Sequence, residues 1–363
     1  MIFIGQYDKI PSSDYGERFV GMNSGLGFQC VFSDIVDERK LKRLYAIKAA
    51  AGCGKSTFMK NLASKANELG IKCERYACSS DHTSLDCIIL NDSVAVLDGT
   101  APHLYETVYN GAASEIIDFS RFWDNNILIN ERPSIIMLND EKKSLYSRAY
   151  DGLRVMRLLM LESFDCLREV IDLSKARSAL ERFLDAFKWR EQTDGFRYRG
   201  IYRSVGMKGK KRLDTLEKNA ELSVYVSDVY GSAYVFMGIL SDLLSERNVR
   251  HEISVDPITP ELICDVYVPA IDLLVTVEPI EAECFKVFNM ERFINKAALS
   301  GIKGSLKLAN KCSSLIFQDV REYMTKASSA HFALEKIYST AMDFDSLSDH
   351  LDSKLSEIVS LAQ

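Results

Sequence analysis

The stretch that most limits what this chain can fold into is Ala49-Ala50-Ala51-Gly52-Cys53-Gly54-Lys55-Ser56-Thr57. It fits a phosphate-binding loop of the form [A/G]-x-x-x-x-G-K-[S/T], with Ala49 where glycine usually stands. Gly52 and Gly54 let the backbone turn its N–H groups inward around an anion. A helix that follows adds unpaired N–H groups and the positive end of its dipole. Lys55 would reach the β- and γ-phosphates of a nucleotide, and the Ser56 hydroxyl would ligate Mg2+. Ala51, Gly52, Cys53, Gly54, Lys55, Ser56 and Thr57 are therefore the candidate nucleotide contacts.

The flanks agree with the loop. Leu44-Tyr45-Ala46-Ile47 is an apolar, strand-like run leading in. Phe58, Met59, Leu62, Ala63, Ala66 and Leu69 then repeat at helical spacing, with Gly70 as a stop. If position 49 needed φ > 0, its alanine would cost about 1–2 kcal/mol. Micromolar nucleotide binding is worth about 8 kcal/mol, so the site would survive.

Further on, Val94-Ala95-Val96-Leu97-Asp98 reads as a buried parallel strand ending in a carboxylate. That end is where a doubly wound sheet gathers ligand chemistry. Asp98 is the candidate acid that holds Mg2+ through water, as in the Walker B position, and with Lys55 it forms the candidate catalytic pair. The plainer alternative is an aspartate starting a turn before Gly99. Thr100 and His103 follow as candidate sensors of the γ-phosphate or substrate. From about 144 to 190 the pattern is helical, and it carries Arg148, Arg154 and Arg157. These are either clamps for a transferring phosphate or ordinary surface partners of acids. Cys53 sits beside Lys55 at a helix start, an environment expected to lower a thiol pKa.

The second half echoes the first. Arg18-Phe19-Val20-Gly21-Met22 returns as Arg203-Ser204-Val205-Gly206-Met207, and Thr57-Phe58-Met59 as Val235-Phe236-Met237. Val96-Leu97-Asp98 meets Leu274-Val275-Thr276, and Phe119 with Arg121-Phe122 meets Met290 with Arg292-Phe293. Matches in a constant order indicate a duplicated α/β unit. The copy has lost its chemistry: Asp228-Val229-Tyr230-Gly231-Ser232-Ala233 has no lysine for a phosphate, and Asp98 falls opposite Thr276. The expected architecture is a P-loop NTPase-type three-layer α/β/α unit with a mainly parallel sheet, duplicated in tandem. Residues 1–196 carry the working loop and a helical hairpin; residues 197–363 are a degenerate partner.

With 363 residues, 47% of them hydrophobic, the chain can fill two cores. A net charge of −6 argues against general nucleic-acid binding. Residues 197–212, with Arg197, Arg199, Arg203, Lys208, Lys210, Lys211 and Arg212, remain a candidate strip for single strands or polyphosphate, or an interdomain loop paired with acids. Nine cysteines without a C-x-x-C pair fit reduced thiols. No apolar run reaches the length of a membrane span, and no secretory signal opens the chain, so a cytoplasmic location is expected.

Three segments together resemble a family of poorly characterised bacterial tandem P-loop ATPases. They are Gly52 to Thr57, Ser84-Leu85-Asp86 with Val96 to His103, and Glu115-Ile116-Ile117-Asp118 with Phe122-Trp123-Asp124. The resemblance covers most of residues 15–190 and implies ATP binding on a P-loop fold, without a settled substrate. Three functions compete: a Mg-dependent ATPase or ATP-driven switch, a nucleotide or small-molecule kinase, and a non-hydrolysing ATP-binding module. A protein partner or a homodimer fits any of them. No N-K-x-D stands ready to read guanine, so ATP is the expected nucleotide.

Overall fold

A computed structural model, which describes residues 17–101, 105–189, 195–280 and 284–363, places the apolar run at 94–97 inside a six-stranded sheet. Its four side chains are fully buried, as an interior strand requires. The first unit begins with β1 (Glu17–Phe19), the hairpin β2 (Gly21–Ser24) and β3 (Gly27–Cys30), and α1 (Phe32–Ile35). It continues through β4 (Arg43–Lys48), α2 (Lys55–Glu68), β5 (Cys73–Ala77), β6 (Leu85–Leu90), β7 (Val94–Asp98) and β8 (Ser114–Asp118). Three helices follow: α3 (Asn125–Asn130), α4 (Arg132–Val170) and α5 (Leu173–Leu184).

The second unit repeats this plan. It runs β9 (Arg197–Gly200), the hairpin β10 (Arg203–Gly206) and β11 (Gly209–Arg212), α6 (Thr215–Asn219), β12 (Leu222–Ser227) and α7 (Ser232–Glu246). Then come β13 (His251–Val255), β14 (Ile263–Val268), β15 (Leu273–Thr276), β16 (Lys286–Asn289), α8 (Lys296–Thr340) and α9 (Phe344–Ala362).

The two sheets have the same strand order, β1-β5-β6-β7-β4-β8 and β9-β13-β14-β15-β12-β16. In each, the third strand is antiparallel to both neighbours and the other pairings are parallel. Both carry a register shift at the same place, Tyr76/Ala77 and Ser254/Val255. The chain is thus two α/β sheet-and-helix units with mixed, mostly parallel sheets.

Topology also corrects the sequence alignment of the copies. The matching turn glycines are Gly27 (φ +90) and Gly209 (φ +95), so β2 answers to β10, and Arg18 in β1 is no counterpart of Arg203 in β10. Ile47 pairs with Asp98 in the first sheet, and the register of the second carries that position to Val277 rather than Thr276. The helix starts likewise set Phe58 against Val235. The match of Phe119 to Phe122 with Met290 to Phe293 keeps its register.

The helical tails are exchanged between the units. At about 1.5 Å per residue, α4 and α8 span roughly 58 and 68 Å, enough to reach from one unit to the other. They run antiparallel and cross where Gly152 meets Val320, whose Cγ2 would stand 2.5 Å from a β-carbon built on the glycine. Reciprocal backbone bonds tie each far end to the other unit. Asp172 N–H donates to Phe293 O (2.8 Å) and Asn295 N–H to Val170 O (2.9 Å). Asp343 N–H donates to Phe122 O (2.9 Å) and Asp124 N–H to Ala341 O (2.7 Å). As a result α5 buries Leu180, Phe183 and Leu184 against α7, while α9 buries Leu347, Ile358 and Val359 in the core under α2. The division at residue 196 separates the sheets but not these helices. The pattern expected from about 144 begins earlier, at Arg132, with Pro133 in the first turn where its missing N–H costs nothing.

The nine cysteines are free thiols. No helix among the described residues is long and apolar enough to cross a membrane.

Candidate functional site

β4 ends at Lys48 and α2 starts at Lys55, so residues 49–54 form the connecting loop at the carboxyl edge of the first sheet. Gly52 (φ +76) and Gly54 (φ +87) take the left-handed backbone that glycine allows, and Gly54 opens the helix without a side-chain cap. Ala49 does not: its φ is not positive, so the strain considered for an alanine there does not arise.

The loop brings most of the sequence candidates together. The Lys55 ammonium donates to Ala49 O (3.0 Å) and Ala50 O (2.7 Å) and lies 3.5 Å from an Asp98 carboxylate oxygen. The other Asp98 oxygen accepts from Thr100 N–H at 2.8 Å, and the Thr100 hydroxyl donates to Ala49 O at 2.9 Å. Ser56 Oγ accepts from Leu85 N–H (2.9 Å), which ties the first turn of α2 to the start of β6. Thr57 faces solvent on that turn, and Ala51 is half-buried. His103 lies outside the described residues.

Cys53 departs from the sequence expectation. Its thiol is buried, accepts from the Trp123 indole N–H at 3.4 Å, and lies beside Tyr338, whose ring packs on Trp123. Burial pushes its pKa up, and the opposing pull of Trp123 and Lys55 does not reverse this. A protonated, enclosed thiol is a structural element here rather than an activated one.

The far end of α8 forms a wall on the loop. A β-carbon on Gly52 would stand 2.6 Å from the carbonyl oxygen of Glu335. Glu335 also lies one turn from His331, at 3.4 Å from its Nε2. These residues come from the second unit's tail, more than 270 positions downstream, and on a mixed helix they look like ordinary solvated residues. The repeat held a signal for them. The bridges Trp123–Met342 and Ile171–Ile294 relate α4 to α8 at a constant spacing of 171 positions. That spacing sets Glu335 against Phe164 and His331 against Met160, polar in one copy where the other is apolar.

The second loop has a different occupant. Gly231 (φ +103) opens α7 as Gly54 opens α2, but the Asp228 carboxylate folds into the backbone. It accepts from Gly231 N–H (2.8 Å) and Ala233 N–H (3.0 Å), the donors a phosphate would use. In the first loop no side chain among the described residues takes this role. Beside Asp228 opens a cavity of about 390 Å³, lined by Met160, Phe164, Tyr230, Gly231, Ser313 and Phe317 among others.

Six of the other charged candidates have partners away from the first loop. Arg154 pairs with Asp151 (2.8 Å), Arg157 with Glu261, and Arg148 lies over the Tyr323 ring. In the basic strip, Arg197 pairs with Asp242 and Arg203 with the buried Asp265, each at 2.8 Å, and Arg212 with Glu217. The strip is an edge strand and a hairpin rather than a loop. No family model matches the sequence, and neither a curated protein nor a solved structure is found that does.

Proposed function

We propose that the first unit is a P-loop unit that binds ATP through residues 49–56 and acts as a Mg-dependent ATPase or ATP-driven switch, with the second copy degenerate. The observation that carries this reading is the placement of Lys55. It sits at the start of α2, between two left-handed glycines and Asp98, and holds only loop carbonyls and one carboxylate. Phosphate oxygens would replace those acceptors with stronger, charge-assisted ones.

The residues present fit such a ligand. The carboxylate of Asp228 rests on the second loop's amides and stands in for an anion at a helix start of the same geometry. Ser56 and Asp98 would hold the Mg2+ that accompanies the nucleotide, which supplies charge neutralisation at the phosphates.

The switch form has its own support. The backbone of α8 rests on Gly52, so a change in the loop that displaced Gly52 would press on a helix that spans both units. Thermal unfolding in Mg-ATP and Mg-GTP, for wild type and Lys55→Ala, with phosphate release followed in parallel, tests the proposal. At a hundred times its Kd, ATP should add about 2.7 kcal/mol to wild type and nothing to the variant. Equal stabilisation of the variant would remove the loop from the account.

A further inference from the structure

The constant spacing between α4 and α8 sets position 142 against Ser313. Ser313 lines the cavity over the second loop, together with Asp228, Tyr230 and Gly231. The same spacing relates Glu335, whose backbone touches Gly52, to Phe164 of that cavity, so the correspondence holds at the loops themselves. Lys142 therefore stands on the wall over the first loop, where the second copy has a serine.

A contact made by its neighbour on α4 agrees with that placement. Tyr146 lies one helical turn further along the same face of α4, and its hydroxyl is 3.4 Å from Ser80 Oγ. Ser80 belongs to the connection from β5 to β6, and the end of that connection, Leu85 N–H, is bound to Ser56. The face of α4 that carries Lys142 and Tyr146 thus packs against the connection whose far end is bound to Ser56.

Lys142 is partly buried and makes no hydrogen bond or ion pair among the described residues. Burial lowers its pKa, and the positive charge of Lys55 lowers it further. The charges of Lys142 and Lys55 repel one another, while the acceptors Ala49 O, Ala50 O and Asp98 are held by Lys55. An anion is the group that such an arrangement lacks.

Resting on the nucleotide reading above, we propose that Lys142 contacts the terminal phosphate of a bound nucleoside triphosphate. The unit then distinguishes triphosphate from diphosphate through a lysine on α4 as well as through its phosphate loop. Lys55 reaches the β- and γ-phosphates from the loop, and Lys142 adds a contact that only the triphosphate offers. Because α4 continues into the second unit, the same contact reports the presence of the γ-phosphate there.

The test is calorimetric titration of the full chain with a non-hydrolysable ATP analogue and with ADP, both with Mg2+. The proteins are wild type, Lys142→Met, Lys142→Arg and Lys55→Ala, each checked by thermal unfolding. Lys142→Met keeps the bulk of the stem and removes a repelling charge, so it should fold. It is expected to weaken the analogue at least tenfold while ADP stays within twofold, and Lys142→Arg should restore most of the preference. An unchanged ratio of analogue to ADP affinity in Lys142→Met overturns the assignment and leaves the nucleotide site standing. If wild type binds neither nucleotide, the reading of the loop fails and this inference fails with it.

Discussion

Gly52 lies directly against Glu335: a β-carbon on the glycine would stand 2.6 Å from the glutamate carbonyl oxygen and 2.9 Å from its α-carbon. Gly54 also has positive φ, but a β-carbon there would find only the Phe344 ring at 3.8 Å. The two glycines should therefore answer differently to alanine. Gly54→Ala carries only the left-handed strain, about 1–2 kcal/mol. Gly52→Ala adds overlap with helix backbone that cannot rotate away, another 1–3 kcal/mol or so. Urea denaturation of both variants measures this, and equal costs would mean that α8 does not rest on the loop.

The crossing of the long helices is testable in the same manner. Gly152→Ala should cost about 1–3 kcal/mol because its methyl meets Val320. Val320→Ala alone loses buried packing, yet it makes room for the new methyl. The double variant should be more stable than the sum of the two single changes predicts. Simple additivity would move the crossing elsewhere.

Asp228 makes a prediction about the second loop. Replacing it with alanine leaves the N–H groups of Gly231 and Ala233 without their acceptor, a loss comparable to removing a helix cap, about 1 kcal/mol. An emptied amide nest should then accept an added anion. Inorganic phosphate should raise the unfolding temperature of Asp228→Ala more than that of wild type, at matched ionic strength. Equal effects would deny that the carboxylate fills an anion site.

Acid stability depends on His251, which is fully buried in β13. Its Nε2 lies 2.8 Å from Ser241 Oγ, and its Nδ1 lies 2.9 Å from Val249 O. The neutral ring suits both partners, with Nδ1–H donating to the carbonyl. Burial lowers its pKa to about 4, below the usual value near 6.5. The unfolded chain then binds the extra proton in that window, so stability falls as the pH drops from about 6.5 towards 4. The loss should approach 3 kcal/mol. Urea denaturation of wild type and His251→Gln across this range checks it: the glutamine variant should lose much less of its stability on acidification.

The sequence showed the strand, the turn and the helix around the first loop, because the left-handed backbone at Gly52 and Gly54 is a local requirement that glycine meets. It carried the repeat too, but misread its register in places. Arg18 and Arg203 share neighbours in sequence yet sit in different strands, since short motifs of Arg, Val and Gly recur without structural meaning. The exchange of helices was not legible, because α5 and α9 show the same amphipathic pattern whichever sheet they cover. Nor could local sequence show Glu335 or Lys142 at the loop, as both arrive on long helices whose course depends on how α4 and α8 pack together. Cys53 failed for a related reason: its neighbours along the chain argue for activation, while Trp123 and the distant Tyr338 enclose it.

On the proposed function one loop of the pair, and only one, takes a nucleotide, and calorimetric titration of the full chain with Mg-ATP counts the sites. One site per chain is expected, abolished in Lys55→Ala and unchanged in number when Ser232 at the start of α7 is replaced by alanine. Two sites per chain, or a single site that persists without Lys55, would contradict it.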